Sequence, residues 1–239
     1  MSAVPKTPQM NPTTVIVENG PQNPPESPNN NEGSQFFLVI MNIINSLTHM
    51  LLGCIVISAF IYANVARAST FKQHIYLCVF GYVILMAQAV LTFNPHNGWS
   101  TNIKFPVKRK LHAVMQICGS SLAIAGTAVQ MASVFNNLRS THGIFGFIAF
   151  LLTVVSLVGG IYHLIYQNEM KGTLRFCHAI VGCLTLTSAF IALALGFDSM
   201  RNSILRPDTN TNMFIASTVL ALVGTLIVSC GKIFNRRCA

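Results

Sequence analysis

Apolar positions along this chain fall into long unbroken runs separated by short polar stretches. Six runs reach membrane-crossing length, at about 36–64, 74–93, 111–134, 142–166, 176–197 and 212–234. A spanning helix needs roughly 20 consecutive apolar residues. The runs are continuous and do not alternate, so they predict helices rather than barrel strands. The polar stretches hold Pro95, Pro106, Pro207 and most of the charge. Residues 1–34 are a different material, rich in Pro, Asn and Ser and poor in large apolar residues apart from the run Val15, Ile16 and Val17. Such a stretch cannot bury enough surface to fold and is expected to be a disordered tail. It has no basic start leading into a short apolar core, so no signal peptide is expected. The expected organisation is a tail (1–34), a six-helix domain (35–235) and a short C-terminal tail (236–239).

Composition agrees. The chain is 52% hydrophobic and only 9% charged, too few charges to solvate a globular surface. The net charge of +9 does not point to nucleic acid, because the basic residues are divided among loops and form no single patch. They set orientation instead. Lys6, Lys104, Lys108, Arg109, Lys110, Lys171, Arg175, Lys232, Arg236 and Arg237 fall on one side, against Arg67, Lys72, Arg139, Arg201 and Arg206 on the other. Ten against five places both termini in the cytoplasm. All six carboxylates lie outside the expected spans, which counts against a carboxylate-driven transporter and against a mixed His/carboxylate metal site. The seven cysteines form no CxxC pair and no disulfide framework. Cys54, Cys78, Cys118, Cys183 and Cys230 are expected to behave as small hydrophobes within helices, and Cys238 is open to acylation.

The chemistry rests on His74, His112, His142 and His178, each opening one of four successive spans. An imidazole within a membrane helix is costly without a partner. Stepping along the face each histidine shares with later residues, His74 leads to Cys78, Gly81, Leu85, Gln88 and Thr92. His112 leads to Gln116, Gly119, Ala123, Gly126 and Gln130. His142 leads to Gly146, Ala149, Thr153, Ser156 and Gly160, and His178 to Gly182, Thr185, Ala189, Ala192 and Gly196. Small residues on such stripes allow close helix packing, but that does not explain a histidine at the head of each. Topology makes the second and fourth spans parallel, and likewise the third and fifth. His74 then faces His142 near one surface and His112 faces His178 near the other, on the order of 20 Å apart. Two axial imidazoles on facing helices suit a low-spin haem iron and leave no open position, which favours electron transfer over oxygen chemistry. Lys72 and Arg139 at one end, and Lys108 to Lys110 with Arg175 at the other, are available to haem propionates. The fold class expected is therefore an all-α membrane protein with six transmembrane helices and a four-helix dihaem core.

His74-Ile-Tyr-Leu, Lys110-Leu-His112 with Gln116, Ser140-Thr-His142-Gly143 with Gly146, and Cys177-His178 with Gly182 resemble the cytochrome b561 family of transmembrane ascorbate-dependent reductases. The likeness covers about residues 36–234 and is most specific at 74–196. It is nearest to short members with little beyond six helices. The resemblance implies two haem b groups, His112 and His178 binding the cytoplasmic-side haem and His74 and His142 the outer one. It implies electrons passing from cytoplasmic ascorbate to monodehydroascorbate radical or a ferric chelate on the opposite side. The family's ascorbate contact falls on Lys110, with Lys108, Arg109 and Arg175 as helpers by charge. No catalytic side chain is assigned. Many members have His-Pro where this chain has His74-Ile75, which touches local helix geometry and not ligation. An endomembrane location is expected, with membrane lipid as surroundings, no nucleic acid, and room for a homodimer.

The other histidines are expected to be structural: His49 hydrogen-bonded within the first span near Asn45 and Thr48, His163 interfacial, with a place in a substrate pocket as the alternative, and His96 solvated in a loop. Gln88, Gln116 and Gln130 fit either support of the ligands or interhelical hydrogen bonds. The competing readings are a haem-free transporter or channel using the histidines for protons or metal, and a scaffold docking through the N-terminal tail.

Overall fold

The structure, a computed structural model, describes residues 28–66, 68–133, 137–166, 172–201 and 209–235. The chain divides into a unit of residues 1–36 and one of residues 37–239. Helix α1 is Pro28–Val65, so it begins inside the stretch read as a polar tail. Then come α2 (Ser69–Leu91), α3 (Phe105–Ser133), α4 (Thr141–Ile165), α5 (Gly172–Ser199) and α6 (Thr209–Asn235). A short 3-10 turn, Asn137–Arg139, precedes α4. Among the described residues there is no strand, and six helices are long and apolar enough to cross a membrane. Lys6, Lys171, Arg236 and Arg237, with Arg67 and Arg206, lie outside the described residues. Asp198 stands exposed in the last turn of α5, paired with Arg201 at 2.8 Å. Arg201 also donates to Asn212 Oδ1 at the start of α6.

Helix α2 is the most buried span. Ile75, Val79, Tyr82, Val83, Met86 and Leu91 pack with Leu52, Ile55 and Ala59 of α1 and with Leu186, Ala189 and Phe190 of α5. The second unit thus has its core around α2. Helix α4 instead turns Ile144, Ile148, Leu151, Val155 and Val158 outward. Those residues recur every three to four positions, opposite the His142 stripe, as expected of a helix with one lipid-facing side. Tyr62, Phe197 and Phe214 join α1, α5 and α6 through ring contacts of 5.4–6.2 Å.

Two local features set where the histidines fall. Ser140 caps α4, its hydroxyl accepting the Gly143 N–H at 3.0 Å, and this fixes His142 in the first turn. Within α2, Val79–Met86 is π-helical, with the Ala87 N–H donating to the Tyr82 carbonyl five residues back. A π stretch admits an extra residue and shifts the register of the helix beyond it. His74 lies before it, and Gln88 after it.

The glycines of the histidine stripes divide into three kinds. A Cβ on Gly81 would stand 2.6 Å from the Gly119 carbonyl, and one on Gly126 would stand 2.8 Å from Leu77 Cβ. These glycines let α2 and α3 approach backbone to backbone, the packing role of small residues in membrane helices. A methyl group on Gly146 or Gly182 would have nothing within 4 Å, whereas one on Gly160 or Gly196 would meet a histidine ring.

Candidate functional site

At one end of the four-helix group, the His74 and His142 rings lie 6.1 Å apart between centroids and at 88° to one another. His74 Nδ1–H donates to the Gly126 carbonyl at 3.0 Å, and His142 Nδ1–H donates to the Ala192 carbonyl at 2.7 Å. Carbonyls only accept, so the proton sits on Nδ1 and Nε2 is left with its lone pair. An imidazole that binds iron through Nε2 keeps its ring centre roughly 3 Å from the metal, so two axial rings sit roughly 6 Å apart. The observed spacing fits that requirement. Cys78 Sγ lies 3.5 Å from His74 Nδ1 and near the Ala123 carbonyl and Thr127 hydroxyl. Lys72 and Arg139 stand two and three residues before His74 and His142.

At the other end, His112 Nδ1–H donates to the Ala89 carbonyl at 2.9 Å, and the His112 ring packs on Phe93 with centroids 5.0 Å apart. His112 and His178 line one cavity of about 470 Å³, within the range of about 300–1,000 Å³ usual for small-molecule and cofactor sites. Its wall includes Gly160, Gly182, Gln116 and Ser156, with Arg109 and Lys110 on the basic side. Lys108 and Arg175 are not among the lining residues. His178 Nδ1 is buried and has no hydrogen-bond partner.

The two ends are built reciprocally. A Cβ on Gly196, on the His178 stripe, would stand 3.3 Å from the His142 ring, and one on Gly160, on the His142 stripe, would stand 3.2 Å from the His178 ring. Each helix of the α4–α5 hairpin thus supplies one imidazole and the clearance for its neighbour's. Midway between the two ends, the buried Tyr82 hydroxyl donates to Thr153 Oγ1 at 2.8 Å, and Thr153 donates to the Ala149 carbonyl at 2.6 Å.

The remaining histidines separate clearly. His49 accepts from Gln88 Nε2 at its Nδ1 (3.0 Å) and donates from Nε2 to Asn97 Oδ1 (3.1 Å). Its role is the structural one expected, with different partners, and Gln88 serves α1 rather than one of the four paired histidines. The π stretch explains this, since it turns Gln88 off the His74 face. Asn94 Nδ2 donates to Asn45 Oδ1 nearby, and Asn97 Nδ2 donates to the Leu91 carbonyl. His96 is partly buried with its ring against Phe37, not fully solvated. Gln116 lines the cavity, and Gln130 keeps a buried, unpartnered Oε1. His163 stands half-buried in the last turn of α4. It lines the cavity, its ring 6.4 Å from that of His178. The sequence holds the signal, because His163 extends the His142 stripe one step beyond Gly160. Among the described residues no group of three or more His, Cys, Asp or Glu side chains forms a metal cluster. An axially ligated haem needs only two.

Six apolar helices with an imidazole pair toward each end define a polytopic membrane protein organised around buried histidines. The model for eukaryotic cytochrome b561 matches residues 73–202, more than half of the chain and all four histidines, and the protein belongs to that family. It is therefore a transmembrane b-type haem oxidoreductase. No curated protein and no solved structure matches the chain.

Proposed function

We propose that this protein carries single electrons across a membrane through two bis-His haem b groups. His112 and His178 would hold one haem and His74 and His142 the other. Cytoplasmic ascorbate would be the donor, and monodehydroascorbate radical or a ferric chelate on the far side the acceptor. The observation that carries the reading is the pairing itself, with three Nδ1 atoms tied to backbone carbonyls and Nε2 left for metal. Haem bound there supplies a one-electron carrier. The chain's part is to fix the imidazole planes, exclude water and offer positive charge. Lys110 and Arg109 line the cavity beside His112 and suit an anionic donor; Lys108 and Arg175 would add to the field around it. Both termini in the cytoplasm and an endomembrane site follow from the basic-residue asymmetry and the resemblance. The test is a reduced-minus-oxidised spectrum of the purified protein with haem stoichiometry. We expect two haems per chain, both low-spin and reducible by ascorbate, with one lost in His112→Ala or His178→Ala and the other in His74→Ala or His142→Ala. A colourless protein after haem supplementation overturns the proposal.

A further inference from the structure

Three of the four paired histidines are held by a carbonyl on the adjacent helix, and the acceptors occupy equivalent registers. His74 bonds Gly126, the fourth step of the stripe that His112 heads, and His142 bonds Ala192, the fourth step of the stripe that His178 heads. The fourth step of the His74 stripe is Gln88. His112 bonds its successor Ala89, and the π stretch Val79–Met86 accommodates the extra residue. The remaining fourth step belongs to the His142 stripe, in the unbroken α-helix Thr141–Ile165, and it is Ser156. The three satisfied positions are Gly or Ala, with no side-chain acceptor. Only the remaining one carries a hydroxyl, and only the remaining histidine, His178, has a buried Nδ1 without a partner. Ser156 lines the same cavity as His178, one turn before Gly160, where an added Cβ would stand 3.2 Å from the His178 ring. Among the described residues the Ser156 hydroxyl makes no hydrogen bond, although those of Thr153 and Thr185 donate to carbonyls four residues back.

We infer that the Ser156 hydroxyl is the positioning group for His178, accepting its Nδ1–H once Nε2 is committed to iron. The hydroxyl fixes the tautomer and the plane of the ring, as outer hydrogen bonds do for metal-bound imidazoles. Ser156 is not a ligand and does not touch the substrate. This inference rests on the proposed dihaem reading. The experiment compares Ser156→Ala, Ser156→Val and Ser156→Thr in the full-length, haem-loaded protein; Val and Thr have the same shape and differ in the hydroxyl. The readouts are low-temperature electron paramagnetic resonance of the ferric haems and the rate of haem loss to a scavenging apoprotein. Ala and Val are expected to shift one of the two low-spin signals and to release that haem roughly tenfold faster. Thr should behave as wild type, and the second haem should serve as the internal control. Indistinguishable Val and Thr variants, or an unchanged Ala variant, overturn the inference. A wild-type protein without two low-spin haems overturns the dihaem reading instead.

Discussion

At the scale of single residues, the stripe glycines carry distinct duties that their spacing does not reveal. Gly182 and Gly146 border space that no protein atom fills within 4 Å of a methyl group. On the proposed dihaem reading, a large side chain there would meet the porphyrin before it met the protein. Gly182→Leu should therefore leave the fold intact, measured by helical content, while removing the haem of the His112–His178 end. Gly146→Leu should do the same at the His74–His142 end. Full haem content in both variants would show that the open space beside these glycines is not where porphyrin lies. By contrast, any side chain at Gly196 presses on the His142 ring itself, so loss there would not separate cofactor exclusion from ligand displacement.

At the scale of elements, α2 and α3 meet backbone to backbone. Gly81 and Gly119 bring their backbones together so closely that a methyl on either meets the other's carbonyl at 2.6–2.9 Å. Backbone cannot yield as a flexible side chain would, so Gly81→Val should lower stability by about 1–3 kcal/mol, read as a drop in thermal midpoint in detergent. If the proposed dihaem reading holds, both haems should fall together, because His74 and His112 each depend on a carbonyl of the other helix. The π stretch of α2 belongs to this scale too. It shifts Gln88 to His49 and brings the Ala89 carbonyl to His112, so one local widening serves both the α1 contact and the ligand geometry.

At the scale of the whole molecule, charge and topology combine. The cavity that contains His112 and His178 has Arg109 and Lys110 in its wall. Removing a charge-assisted contact costs about 1.5–3 kcal/mol, or roughly tenfold or more in affinity. Lys110→Ala in vesicles loaded with ascorbate should raise the ascorbate concentration for half-maximal haem reduction by roughly tenfold, and less in high salt, where exposed charges are screened. Reduction by dithionite should be unchanged. An unaltered ascorbate dependence would place the donor elsewhere.

Much of this was legible in the sequence. Unbroken apolar runs determined six helices, because a bilayer offers no partner for an exposed backbone. The recurrence of histidine at the head of four spans determined the pairs, because helix direction alternates with each crossing. What tertiary structure alone decided is how each ring is held and what each small residue faces. His163 reaches the cavity one step beyond Gly160 because the α4–α5 packing turns that stripe inward. Gln88 leaves the histidine face because a π turn interrupts α2. Gly81 and Gly119 pack helices, whereas Gly146 and Gly182 border open space. Sequence spacing assumes one regular pitch and an isolated helix, and these outcomes depend on a local change of pitch and on which neighbour each face meets.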